Sequence, residues 1–156
     1  MVVDNSLLLS LAEVCVAFTG FIGIVVVLGR RSQGEWTEVE NTRFWTLITS
    51  SITAIALTLL PILFGLRSIA LIGLIVGGTT SFVIGRNAYK AIWLPTANRL
   101  LGVVIVTLTA LVYGAFVLCV AGVVPITIDQ YYLALILWYL SISILFFVRL
   151  LRAQQS

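Results

Sequence analysis

Glu13 is an acid set inside an apolar run, residues 7–28, that is long enough to cross a bilayer. It falls about two helical turns in from the start of that run. A carboxylate there is costly, so it must be neutralised, paired or in contact with water. Three readings follow. It serves as an ion or proton site or a pore-lining group, it forms a structural bridge with Arg67, or it faces lipid as a protonated acid. Arg67 is the one basic residue expected on the same side of the membrane, and its long side chain can reach inward.

Hydroxyls and small residues form the second set. Thr46, Ser50, Ala54 and Thr58 recur every four positions and share one helix face. Such a face either packs against another helix or lines a polar path in which hydroxyls hydrate ions. Gly73 with Gly77, and Ala110 with Gly114, are small pairs four residues apart, the spacing that lets helix backbones approach closely in lipid.

Other chemistry finds no support. The chain has no His, which removes the commonest general base and the commonest transition-metal ligand. Paired carboxylates, a Ser/His/Asp set and Cys/His metal spacing are all missing, so neither an enzyme nor a cofactor or metal is expected. Cys15 and Cys119 fall in apolar segments and read as small buried hydrophobes. Gly20-Phe21-Ile22-Gly23 resembles part of a phosphate loop, but it lies in the middle of an apolar run with no strand before it. Glu35, Glu38 and Glu40 could attract a cation. Thr37-Glu38-Val39-Glu40, however, fits a capping box, which accounts for two of them through the helix start.

The elements that must position these residues are membrane helices. Of 156 residues, 61% are hydrophobic and 10% charged, and the mean hydropathy is +1.17. A soluble domain has about 45–50% apolar and about 25% charged residues. A chain of this size has too much surface for its volume to hide such an excess. The reading is an all-α, single-domain bundle of about five transmembrane helices, near residues 7–28, 44–64, 69–85, 100–123 and 131–151. The second helix should start near Glu38, with Pro61 bending its far end. A short link at 65–68 makes a helical hairpin. Arg86 to Arg99 follow the third span on the cytoplasmic side. Pro125 should end the fourth span and Asp129 should cap the fifth.

Five crossings place Arg30, Arg31, Arg43, Arg86, Lys90, Arg99, Arg149 and Arg152 on one side and Arg67 alone on the other. This asymmetry puts the N-terminus outside and the C-terminus in the cytoplasm. Trp36, Trp45, Tyr89 and Trp93 on one side, and Tyr131 and Tyr132 on the other, read as interface anchors. The net charge of +3 suits anionic lipid headgroups, and the basic residues form no nucleic-acid-binding stripe. The N-terminus lacks the basic region of a cleavable signal peptide and reads as the first span.

Ala12-Glu13, Ala17-Phe18-Thr19-Gly20-Phe21, Gly29-Arg30-Arg31-Ser32, Gly34, Trp36, Arg43 and Leu60-Pro61 together resemble a pattern in small, uncharacterised bacterial multi-span inner-membrane proteins. The resemblance covers roughly residues 12–62. It implies a bacterial-type membrane location and makes Glu13 and the 30–43 loop parts of a recurring pattern. It implies no activity. One five-helix bundle encloses little space, so a path for solutes forms more easily between copies. The expectation is a homo-oligomer that acts as a channel or transporter-like protein for ions or small solutes. The alternative is a non-transporting scaffold or regulatory membrane subunit of a larger complex.

Overall fold

The computed structural model describes residues 4–33, 37–92, 99–123 and 127–153. Gly34, Glu35, Trp36, Trp93, Pro95 and Pro125 lie outside the described residues. The described chain is all helical. Helix α1 is Asn5–Gln33 and α2 is Glu38–Phe64, followed by a 3-10 turn at Leu66–Ser68. Helix α3 has three parts: an α segment Ile69–Ile72, a π turn Gly73–Gly77 and an α segment Gly78–Ile92. Helix α4 is Arg99–Val120 and α5 is Ile128–Ala153. All five helices are long and apolar enough to cross a membrane.

Local chemistry sets the helix ends. Asp4 starts α1: its carboxylate accepts from the Leu7 N–H at 2.7 Å and the Ser6 hydroxyl at 2.8 Å. The Leu7 amide first, then the Ser6 hydroxyl, hold this carboxyl below its usual range. At α2 the capping box is complete. The Glu40 N–H donates to the Thr37 hydroxyl at 3.3 Å, and the Thr37 N–H donates to the Glu40 carboxylate at 2.9 Å.

Helix α4 ends earlier than expected, at Val120, and Pro125 is not what stops it. Gly122 adopts φ +73°, with its N–H donating to Cys119 and the Val123 N–H donating to Leu118, both at 3.0 Å. This is a Schellman ending, which a Cβ at residue 122 would strain. Helix α5 starts at Ile128, so Asp129 lies within the first turn, where its charge suits the helix dipole, rather than at the cap. Helix α3 continues to Ile92, which puts Arg86 and Lys90 on helix.

Helices α2, α3, α4 and α5 pack in a closed cycle, each against the next, and α1 lies outside it against α2. The core holds Leu57, Ile84, Phe116, Leu135 and Ile136 around Tyr132 and Tyr139. Tyr132 was expected at the membrane interface but is fully buried. A smaller cluster of Ile22, Leu47, Phe147 and Leu150 joins α1 to α2 and α5. The rings of Phe18 and Phe21 meet Phe147 edge-on at 5.9 and 5.7 Å. The outer face is apolar: Leu63 and Leu100 are each 75% exposed and Phe82 is 72% exposed. An apolar surface of this extent suits lipid and not water.

Two of the helices are irregular, and buried tyrosines meet both irregularities. Helix α2 continues through Pro61, which has no N–H for the carbonyl of Leu57. The Tyr132 hydroxyl donates to that carbonyl at 2.6 Å. In the π turn of α3, Tyr139 donates to the Gly77 carbonyl at 2.6 Å and Tyr113 to the Leu74 carbonyl at 2.8 Å.

Gly73 and Gly77 face inward. A Cβ on Gly73 would overlap the fully buried Phe116 ring, and one on Gly77 would come within 3.0 Å of Leu135. The other small pair does not do the same. Ala110 is exposed, and a Cβ on Gly114 would meet nothing within 4 Å. The expected packing face on α4 therefore points away from the bundle. Gly73→Ala should destabilise the bundle by about 1–3 kcal/mol through overpacking, because Phe116 has nowhere to move. Gly114→Ala should be neutral or add up to about 1 kcal/mol through helix propensity. Denaturation of the two variants in mixed detergent micelles measures both.

Candidate functional site

Apolar helices leave few side chains able to do chemistry, and the structure sorts them into two groups. The first is the hydroxyl face of α2. Thr46, Ser50 and Thr58 are buried, together with Ala54. Each hydroxyl donates back to its own helix: Thr46 to the Thr42 carbonyl at 2.9 Å, Ser50 to the Thr46 carbonyl at 2.9 Å, and Thr58 to the Ile55 carbonyl at 2.8 Å. This is the usual way for Ser and Thr to satisfy a hydroxyl within a helix.

The face also bonds to neighbouring helices. Ser50 and Ser143 of α5 lie 2.7 Å apart, and Ser51 donates to Ser143 at 3.2 Å. Thr53 and Thr80 of α3 are 2.7 Å apart. Ser81 and Tyr139 are 2.9 Å apart, which ties α3 to α5. Among the described residues, every buried side-chain nitrogen and oxygen has a partner. The Ser50 hydroxyl thus sits in the contact between α2 and α5, while the buried Thr58 hydroxyl, among the described residues, bonds only within α2. The four-residue period singles out Thr46, Ser50 and Thr58 but misses Ser51, Thr53, Thr80 and Ser143. Those form two separate cross-helix contacts, Ser50 and Ser51 with Ser143 of α5 and Thr53 with Thr80 of α3, and a period read along α2 alone cannot reveal their partners.

The second group is Glu13 and its surroundings. Glu13 lies eight residues in from Asn5, about 12 Å along α1. It is exposed on the outer side of the bundle. Arg67 is exposed too, in the 3-10 turn after α2. No ion pair joins them among the described residues. Ser10, Ala17 and Gly20 are exposed on the same strip of α1, at the three-and-four spacing of a helix-contact seam. A Cβ on Gly20 would meet nothing within 4 Å, so this strip is bare in the single chain. Leu9, Val14, Val16 and Phe21 flank it, each about half exposed. Glu13 is therefore an acid in the middle of a small-residue seam on the outermost helix.

Cys15 and Cys119 are both buried, and no disulfide joins them. Trp45 and Tyr89 are exposed, as interface anchors would be. No family model, curated protein or solved structure matches the chain.

Tyr139→Phe should cost more than Ser81→Ala, since it leaves the Gly77 carbonyl without its hydroxyl donor while Ser81 sits at the edge of the network. The expected losses are about 1–2 kcal/mol and about 0.6 kcal/mol. Unfolding midpoints in mixed micelles decide; equal losses would mean that the tyrosine bond carries no special weight.

Proposed function

We propose that this protein is a homo-oligomeric cation channel or transporter-like protein of a bacterial-type inner membrane, with its N-terminus outside. Copies meet along the α1 seam of Ser10, Glu13, Ala17 and Gly20. One observation carries the reading: an acid about 12 Å along an apolar helix, exposed on a strip of small residues. In lipid that arrangement is costly for one copy alone. With the seams together, small residues bring the helices close and the Glu13 side chains gather near a shared axis. Carboxylates brought together in this way favour cations. The packed hydroxyls inside the bundle support a path between copies in preference to one through a single copy.

The second reading is a non-transporting scaffold or regulatory subunit. The hydrogen-bonded interior, in which every buried side-chain polar atom among the described residues has a partner, favours it. There the α1 seam receives a helix of another membrane protein.

Ion flux into proteoliposomes of the pure protein separates the two. Wild type should pass monovalent cations, and Glu13→Gln should slow the flux at least about tenfold, equivalent to about 1.4 kcal/mol of barrier. Ser50→Ala, inside the bundle, should leave the rate close to wild type. No flux under any ionic or voltage condition would remove the transport reading. An Ala17→Cys variant should cross-link to itself in the membrane. Cross-linking only to a second protein would select the scaffold.

A further inference from the structure

A separate feature lies at the opposite end of the bundle from Arg67 and does not depend on the Glu13 reading. The start of α2, the end of α3, the start of α4 and the end of α5 surround a cavity of about 50 Å3. That is room for a few water-sized groups. Arg43 of α2 and Arg149 of α5 both line it, and both are half-buried. Thr42 and Asn87 add neutral polar groups, and Ile105 and Phe146 form an apolar wall.

Two arginines line one small, mostly apolar cavity; partial burial first, and then the like charge of Arg149, disfavour the charged form of Arg43. Glu40 offsets part of the charge on Arg43, but it does not line the cavity. Its carboxylate is already held by the Thr37 N–H at 2.9 Å and the Thr37 hydroxyl at 2.8 Å. No carboxylate lines the cavity, and among the described residues none forms an ion pair with either arginine. Like charges converging on a partly enclosed space are relieved by an anion. Arginine forks match phosphate oxygens in pairs. Next to the cavity, and sharing Thr42 and Asn87 with it, a wider cleft of about 380 Å3 carries Lys90 and Trp45, with Glu38 also on its lining. An entering phosphate can therefore keep a bulkier attached group outside the arginine pair.

We infer that Arg43 and Arg149, with Thr42 and Asn87, form a binding site for an anionic phosphate group. Two sources share that chemistry: a phospholipid headgroup and a free phosphate. The site lies at the end of the bundle where eight of the nine basic residues are expected.

The test uses the full chain in nonionic detergent and follows Tm as a probe is added at constant ionic strength. The probes are inorganic phosphate, short-chain phosphatidylglycerol and, as an uncharged control, dihexanoylglycerol. A phosphate-bearing probe should raise Tm to a plateau, as saturable binding to the folded state requires. Saturation by inorganic phosphate assigns a free-phosphate source. Saturation by the lipid alone assigns a headgroup. Arg43→Gln and Arg149→Gln should each weaken the response at least about tenfold, and Arg86→Gln, on the exposed side of α3, should not.

No plateau in wild type, an equal effect of dihexanoylglycerol, or an equal loss in Arg86→Gln overturns the site. Should either glutamine variant fail to fold, arginine modification by phenylglyoxal on the wild-type chain gives the answer. The phosphate-bearing probe should slow modification at Arg43 and Arg149 and leave Arg67 and Arg86 unchanged. Uniform protection, or none, refutes the inference.

Discussion

The structure depends on a backbone rule: a carbonyl in an apolar interior needs a hydrogen-bond donor, whether or not its own helix supplies one. Pro61 removes the donor that the Leu57 carbonyl would have used, and Tyr132 of α5 replaces it. The π turn at Gly73–Gly77 displaces the regular ladder of α3, and Tyr139 and Tyr113 reach its carbonyls. These bonds do two jobs. They make two irregular helices tolerable in an apolar interior, and they fix the rotation of α5 and α4 against α2 and α3. The glycines of the π turn serve the same end. Without a Cβ at Gly73, the Phe116 ring of α4 can sit against the α3 backbone, which brings the Tyr113 hydroxyl on the same helix within reach of Leu74.

Packing order follows from those ties. Helices α2, α3, α4 and α5 are bonded to one another through side chains as well as by apolar contact. Helix α1 has no such tie among the described residues; it is held by Leu8, Cys15, Ile22 and the phenylalanine rings. Among the described residues, the helix without a side-chain hydrogen bond to another helix is the one that displays Glu13. The positive end of the bundle is built differently. There, four helix ends meet at a partly enclosed cavity lined by the half-buried Arg43 and Arg149, instead of displaying charge on one outer helix.

Much of this was legible in the residues alone. Apolar runs of sufficient length gave five helices. The Thr37–Glu40 spacing placed the start of α2, and the short 65–68 link made a hairpin, because each is a local rule that needs no knowledge of neighbours. What escaped depends on partners. Gly122 ends α4 through a left-handed turn three residues before Pro125, and a proline in the sequence hides a glycine that acts first. The i, i+4 pattern of Ala110 and Gly114 is identical in kind to that of Gly73 and Gly77, yet one faces out and one faces in. A small-residue pair marks a face able to pack closely, not which molecule packs there. Tyr132 reads as an interface anchor until Pro61 shows why a hydroxyl is needed at that depth.

The division of polar groups decides where function can reside. A hydroxyl already donating to a carbonyl and bonded across a helix contact can hydrate a passing ion only by breaking those bonds. In an apolar medium each broken bond leaves a bare acceptor, with a cost of about 1–3 kcal/mol. The interior hydroxyls are therefore structural in this conformation. Among the described residues Glu13 forms no ion pair, nor do Arg43 and Arg149, although Glu40 offsets part of the charge on Arg43. Charges kept out of internal pairing in so apolar a chain are maintained against a standing electrostatic penalty. A second helix seam at Glu13 and an anion at the arginine pair, as proposed above, would each lower that penalty.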